Sequence, residues 1–215
     1  MILVGLTGGL ASGKTTVAKL FQQCGATIVD ADQVARTVVQ PGRAAWKDVV
    51  ATFGQDILHD NRTINRSALA ARVFGNPRQL KLLNRIVHPR VAREQAKITK
   101  GIAKQHPDAV IIYAAALLIE AQAHERMDRV ILVTADQRTQ IARACKRDGL
   151  SSKEALARIR GQLPLREKTR IADDLIDGTL PLDQLRRAVR HLYRDLSAQA
   201  QHRFNPPQKL NKPST

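Results

Sequence analysis

The sequence predicts an α/β fold built on a parallel sheet, and three observations lead to this prediction. Short apolar runs typical of buried parallel strands recur along the chain. The first run is followed by a glycine-rich turn, an apolar helix and a second apolar run, which together make a strand–helix–strand unit. Hydrophobic residues make up 43% of the 215 residues, which is enough to build a buried core.

The strand–helix–strand unit lies at the start of the chain. Residues 2–6 predict the first strand, residues 16–21 have the apolar spacing of a helix, and residues 26–29 predict the second strand. In such a unit we expect the second strand to lie beside the first. Three further buried strands are predicted at residues 109–113, 129–133 and 174–178.

A helical insertion is predicted between the second and third strands, over residues 33–105. Gly and Pro residues, among them His88-Pro89, divide it into separate helices. These helices are predicted at residues 33–39, 43–53, 65–75, 78–86 and 90–104.

Residues 137–170 predict a second helical segment, rich in basic side chains. Asp136 is a candidate N-cap, and Ser151 with Glu154 has the pattern of a capping box. Gly149 and Pro164 separate the helices, so the segment is suited to act as a lid. A final helix is predicted at residues 182–202. The resulting organisation is a core of residues 1–32, 106–136 and 171–203, the insertion 33–105, the lid 137–170 and a disordered tail 204–215.

Composition narrows the classes of function. The formal charge of +16 favours anionic partners, yet aromatic residues make up only 3%, too few for stacking on single-stranded nucleic acid. Cys24 and Cys145 are too few for a disulfide framework or a zinc site, which favours a cytoplasmic protein. We expect neither a signal peptide nor a membrane span.

The segment from Gly8 to Thr15 reads Gly-Gly-Leu-Ala-Ser-Gly-Lys-Thr and matches the phosphate-binding pattern G-x-x-x-x-G-K-[ST] without deviation. Its glycines let main-chain N–H groups point at phosphate oxygens, and the helix that follows adds positive charge at its N-terminus. Lys14 is expected to reach the β- and γ-phosphates, and Thr15 to offer its hydroxyl to Mg²⁺. The sequence therefore predicts a nucleoside-triphosphate site made by Gly8, Gly9, Ala11, Ser12, Gly13, Lys14, Thr15 and Thr16.

Carboxylates follow the second strand, at Asp30 and Asp32. Ligands bind at the carboxyl ends of strands in open α/β sheets, so an acid there can accept the proton of an attacking hydroxyl. Either aspartate can instead cap the helix that follows, and the residues alone leave both roles open.

Basic side chains of the lid can supply positive charge to a transferring phosphoryl group. Arg143 and Arg147 lie four residues apart and therefore on one helix face. One of them could clamp phosphates bidentately; the alternative is a solvated face.

The chain resembles the dephospho-coenzyme A kinase family over about residues 1–195. The resemblance rests on segments in matching order: Leu6-Thr7-Gly8-Gly9, Ser12-Gly13-Lys14-Thr15, Val29-Asp30-Ala31-Asp32, Ala35-Arg36, Val39-Gln40-Pro41-Gly42, Phe74 with Asn76-Pro77, Leu83-Asn84 with Ile86, His88-Pro89, Leu117-Leu118 with Glu120, Gln140 with Arg143, Arg147-Asp148, Gln162, and Ala172-Asp173-Asp174-Leu175-Ile176-Asp177.

The resemblance implies a P-loop NTPase-type sheet like that of nucleoside monophosphate kinases, with a helical substrate domain and a lid. It implies phosphorylation of the ribose 3′-hydroxyl of dephospho-coenzyme A with ATP and Mg²⁺. The sequence shows no sign of an obligate protein partner. Asp32 falls on the position of the proposed general base and Arg143 on or near the lid arginine. His88 and Pro89 fall in the substrate region, although a histidine before proline can also simply pack.

The chain departs from the family pattern at Ala114-Ala115-Ala116, where the family has bulkier residues and a proline. That strand end also has no Asp to serve as a second Mg²⁺ carboxylate, which leaves Thr15, ATP oxygens and water as ligands. The alternatives to this kinase are a P-loop kinase of another nucleotide-like acceptor and a nucleotide-gated nucleic-acid-binding protein. Dispersed cations and few aromatics argue against the second alternative.

Overall fold

The computed structural model describes residues 1–204, and the chain forms two compact units. Met1–Ile28 and the chain from Thr99 onward make the first unit, and Val29–Ile98 makes the second. The prediction of a disordered tail at residues 204–215 is wrong at its first residue, because Phe204 is the last residue of a helix, and the remaining residues lie outside the described part of the chain. In residues 1–204, no helix is both long and apolar enough to cross a membrane.

Five strands form one sheet, which confirms the predicted parallel α/β architecture. The strands are β1 (Ile2–Gly8), β2 (Thr27–Asp30), β3 (Val110–Ala114), β4 (Arg129–Thr134) and β5 (Asp174–Asp177). Their order across the sheet is β2-β3-β1-β4-β5, and β1 pairs in parallel with both β3 and β4. Every residue of β1 and β3 is buried, as expected for strands covered on both faces.

The prediction that the second strand lies beside the first is wrong. β3 pairs with β1 from Ile2–Val110 to Leu6–Ala114, and so it separates β1 from β2. The physical reason is burial: β3 is five apolar residues long and fully buried, whereas β2 has four residues and ends on an exposed aspartate. The more apolar strand takes the inner position next to β1, and β2 lies at the edge.

The described residues contain nine α-helices. They are α1 (Lys14–Gln23), α2 (Ala31–Val38), α3 (Ala44–Phe53), α4 (Arg66–Val73), α5 (Pro77–Gln105), α6 (Gln137–Asp148), α7 (Ser152–Arg160), α8 (Leu165–Ile171) and α9 (Leu182–Phe204). The predicted caps are confirmed. Asp136 accepts the Thr139 amide at 2.8 Å, and Ser151 and Glu154 form both bonds of a capping box.

The core of the first unit lies between the sheet and the pair α1 and α9. Alternate residues of the central strand, such as Val4 and Leu6, pack with Phe21 of α1 and with Val189 and Leu196 of α9. Each of these five side chains is fully buried. This packing fixes α1 against the sheet, and so it fixes the start of α1 at the end of β1.

One predicted boundary in the insertion is wrong, because α5 continues through Pro89. Proline cannot donate its helical bond and usually ends or kinks a helix. Here the Arg90 guanidinium donates at 2.7 Å to the Ile86 carbonyl in the adjoining turn. Leu83, Ile86 and Val87 pack on the core of the second unit. This tertiary packing holds together a helix that the local sequence would interrupt.

The second unit has a small core of its own. Val49 and Phe53 of α3 and Ile57 are buried, and side chains of α4 and α5 pack against them. The indole of Trp46 donates at 2.9 Å to the Arg62 carbonyl, which ties α3 to the loop before α4.

Candidate active site

The loop between β1 and α1 has the backbone conformation that a phosphate cradle requires. β1 ends at Gly8 and α1 begins at Lys14. Gly13 has φ of 102° and Ala11 has φ of 53°, so the chain turns twice through left-handed conformations. Such conformations turn successive N–H groups toward the inside of the loop.

The amides at the start of α1 have no acceptor. Among the described residues, the N–H groups of Gly13, Lys14, Thr15 and Thr16 make no hydrogen bond, whereas the next amide, that of Val17, donates to the Gly13 carbonyl. The Ser12 hydroxyl is also buried and unpartnered among residues 1–204. Unpaired donors at a helix N-terminus form an anion site, so this loop can hold several phosphate oxygens.

Gly178, which follows β5, packs directly on the loop. A β-carbon on Gly178 would lie 1.9 Å from the Ser12 carbonyl oxygen, so no larger residue fits. The predicted lid residue Arg143 donates through Nη1 to the Gly178 carbonyl at 3.0 Å. A β-carbon on Gly13 would lie 3.7 Å from that same nitrogen. The structure therefore places Arg143 beside the phosphate loop.

Two glutamines of the segment 137–170 contact the other side of the loop. The Gln162 side-chain oxygen accepts the Leu10 amide at 3.1 Å. The Gln140 amide group lies against Gly9, where a β-carbon would come within 2.5 Å of Nε2. Because Gln140 is buried, it restricts how the loop can move.

An ion pair between a buried lysine and an exposed glutamate anchors the same segment to the chain after β3. Lys168 is only 2% exposed, and its Nζ lies 2.8 Å from Oε1 of Glu120. Glu120 also accepts the Leu163 amide at 3.1 Å, next to Gln162. One carboxylate thus contacts both Lys168 of α8 and the main chain next to Gln162, which supports the phosphate loop.

The remaining predicted residues of the first unit have different surroundings. Lys14 is half-buried and Thr15 is exposed. Arg147 makes two bonds to Asp148, whose pKa this contact lowers, so Arg147 and Arg143 differ in their contacts although they lie on one face. The Asp177 carboxylate accepts the hydroxyl and amide of Thr179, which lowers the pKa of Asp177 and shapes the turn that carries Gly178.

The predicted substrate residues belong to the second unit. Asp30 caps α2 by accepting the Asp32 amide at 2.8 Å, so the capping role falls to Asp30. Asp32 lies in the first turn of α2, exposed, and its carboxylate has no partner among the described residues. His88 and Pro89 are exposed on α5.

The strand end at Ala114-Ala115-Ala116 is held by main-chain contacts. The Ala115 amide donates to the Leu6 carbonyl at 3.0 Å, and the Thr7 hydroxyl donates to the Ala116 carbonyl at 3.2 Å. The short alanines therefore continue the contact between β3 and β1 up to the level of the phosphate loop.

Sequence reasoning missed Gly178 and the Lys168–Glu120 pair as parts of this site. The Asp-Gly step at residues 177–178 was a turn signal, although residue 178 was expected to end a strand. Lys168 is one of several basic residues in the segment 137–170, and nothing local to it indicates burial.

The comparisons with known proteins agree with one another. The family model of dephospho-CoA kinase matches residues 2–183. The dephospho-CoA kinase of Geobacter metallireducens is 42% identical over 196 residues, which cover 91% of this chain and 96% of that protein. The dephospho-CoA kinase of Carboxydothermus hydrogenoformans is 40% identical over 187 residues, covering 87% and 90% of the two chains.

Solved structures show the same fold. TT1252 from Thermus thermophilus superposes with a TM-score of 0.76 and 31% identity, covering 91% of this chain and 97% of that one. The Campylobacter jejuni dephospho-CoA kinase superposes with a TM-score of 0.69 at 22% identity, over 92% and 98% of the chains. The phosphate loop is intact, and the family model matches most of the length of this chain. The chain therefore belongs to the dephospho-CoA kinase family.

Proposed function

We propose that the chain transfers the γ-phosphoryl group of ATP to the ribose 3′-hydroxyl of dephospho-CoA, with Lys14, Asp32 and Arg143 as the acting side chains. The reaction is inferred from membership of the family. It gives CoA and ADP and is the last step of CoA synthesis. The observation that supports ATP binding is the set of four unpartnered amides at the start of α1. They are preorganised donors that need no rearrangement to receive phosphates.

Lys14 and Arg143 supply positive charge where the phosphoryl group moves. Lys14 begins α1, beside the free amides, and in a P-loop such a lysine contacts the β- and γ-phosphates. Arg143 is held next to Gly13 by one Nη1 bond, and its other guanidinium nitrogens have no partner among residues 1–204. These nitrogens are available to phosphate oxygens, bidentately.

Asp32 is proposed as the general base that takes the proton of the attacking 3′-hydroxyl. Its carboxylate is exposed and unpartnered among the described residues, whereas that of Asp30 is occupied as a cap. An uncommitted carboxylate can accept a proton as the oxygen–phosphorus bond forms. His88 and Pro89 are proposed to contact the same acceptor, within a substrate domain of residues 33–105 and with a lid of residues 137–170.

Thr15 is the proposed protein ligand of Mg²⁺. Its side chain is exposed in the first turn of α1, and its hydroxyl has no partner among the described residues, which fits a hard, oxygen-seeking cation. Mg²⁺, when bound, neutralises charge on the phosphate oxygens. A cytoplasmic location is proposed from the two free cysteines.

The test is steady-state transfer from ATP to dephospho-CoA, with the product's phosphate located by ³¹P NMR. We expect 3′-phosphorylated product and stoichiometric ADP. Adenosine and AMP serve as competing acceptors. A higher kcat/KM with either acceptor would assign the chain to another nucleotide-like substrate, and no turnover with any of them would reject the kinase function.

A further inference from the structure

One row of arginines on α9 has no part in the reaction described above. Arg186, Arg190 and Arg194 are spaced four residues apart, so they share one face of the helix over about 12 Å. They line a pocket of about 540 Å³ together with Tyr193 and the C-terminal end of α1. From α1 come Leu20, Gln23 and Cys24.

These three arginines lack acidic partners. The ion pairs that α9 makes within the described residues use Arg187 with Asp183, His191 with Asp195, and Arg203 with Asp128. Arg186, Arg190 and Arg194 form no ion pair among residues 1–204. Like charges four residues apart on a helix repel one another, and a bound anion relieves that repulsion.

The lining of the pocket defines the chemistry of its ligand. Guanidinium groups present a planar fork that matches phosphate oxygens. Leu20 is apolar, and Tyr193 adds a phenol hydroxyl that can donate a hydrogen bond at neutral pH. The volume lies within the range of about 300–1,000 Å³ that is usual for small-ligand sites.

We propose that this pocket binds a small molecule carrying two or more phosphate groups, at a site separate from the phosphate loop. Gln23 lies nine residues after Lys14 on α1, which places the two sites about 13 Å apart along the helix. The two sites share α1 but use no residue in common. The proposal accounts for part of the +16 charge that the kinase reaction does not use.

Cys24 provides a local reporter, because it lines the pocket and the chain has only one other cysteine, Cys145. In a Cys145→Ala background, the rate of Cys24 alkylation by iodoacetamide is measured with and without inorganic tripolyphosphate. Saturating ADP is present throughout, so that the phosphate loop is already occupied. We expect tripolyphosphate to slow alkylation at least fivefold, with a saturable dependence on its concentration.

The pocket variant is Arg186→Gln, Arg190→Gln, Arg194→Gln, and we expect it to lose the protection. The matched control is Lys97→Gln, Lys100→Gln, Lys104→Gln, which removes the same charge from exposed residues of α5 and should keep the protection. Circular dichroism checks folding. If the triple pocket variant is unfolded, Arg190→Gln alone should raise the half-protecting concentration about tenfold.

Three results would overturn the proposal. The first is no protection of Cys24 at millimolar tripolyphosphate. The second is an equal loss of protection in the control variant, which would show that the protection of Cys24 depends on net charge and not on these three arginines. The third is stronger, steeply salt-dependent protection by a 20-base-pair DNA duplex, which would identify a nucleic-acid face instead.

Discussion

Gly178 and Ser12 are in such close contact that a single β-carbon on Gly178 would lie 1.9 Å from the Ser12 carbonyl oxygen. The contact joins the turn after β5 to the phosphate loop after β1. Because Arg143 bonds to the Gly178 carbonyl, one glycine sets the position of both the loop and the arginine.

Gly178→Ala should therefore displace the phosphate loop. We expect about 1–3 kcal/mol lower free energy of unfolding and about tenfold weaker ATP binding, measured by urea titration and calorimetry. Gly101→Ala is the matched control, since nothing lies within 4 Å of its added β-carbon in the helix α5. That change should stabilise the protein by up to about 1 kcal/mol. Unchanged ATP affinity in Gly178→Ala would contradict the contact.

Lys14→Ala should lower kcat/KM by about 10²–10³ while leaving the fold intact, because the side chain acts on phosphate charge rather than on packing. The measurement is steady-state transfer, with circular dichroism as the check on folding. Lys19→Ala, on the exposed side of the same helix, should leave turnover near normal. Near-normal turnover in Lys14→Ala would reject its role at the γ-phosphate.

Asp32→Asn should lower kcat by about 10²–10⁴ and change ATP affinity little, because a general base acts in the transition state. The same substitution at Asp30 is the control: asparagine also caps helices well, so α2 should persist. Single-turnover rates and ATP titrations separate the two effects. Equal losses of rate and of ATP binding in Asp32→Asn would indicate a structural or Mg²⁺-organising role.

Arg143→Ala should slow the chemical step by about 10³, since an arginine on the transferring phosphate stabilises the transition state. Arg147→Ala, one turn later on α6, removes only an exposed pair with Asp148 and should have little effect. Rapid-quench single-turnover measurements distinguish chemistry from product release. An unchanged rate in Arg143→Ala would leave that side chain with a structural role only, through its bond to the Gly178 carbonyl.

Lys168→Met should cost about 1–3 kcal/mol in the free energy of unfolding, because it removes the contact between the buried ammonium group and the solvent-accessible Glu120 carboxylate. Adding Glu120→Gln should recover most of that loss, since the amide oxygen can still accept the Leu163 amide. Lys153→Met, on the exposed face of α7, is the control and should change stability by less than about 0.5 kcal/mol. Denaturant titrations give all four values; a small loss in Lys168→Met would show that the pair is not desolvated.

Features set by near neighbours in the chain could be predicted from the sequence. The phosphate loop and the caps at Asp136 and Ser151 depend on interactions within a few residues, and the five strands are marked by short apolar runs, so local patterns suffice to locate them. The cap at the start of α2 was predicted only as one of two aspartates. The structure assigns the cap to Asp30, because its carboxylate accepts the amides of Asp32 and Gln33 in the first turn of α2.

The sequence by itself determined the P-loop and the alternation of strands and helices, because glycine conformations, apolar periodicity and capping act locally. Tertiary structure decided the order of the strands, the burial of Lys168, the continuity of α5 through Pro89 and the close contact of Gly178 with Ser12. Each of these depends on groups distant in the chain competing for the same buried space. Which group occupies that buried space depends on the packing of the whole unit, and a local sequence pattern does not indicate it.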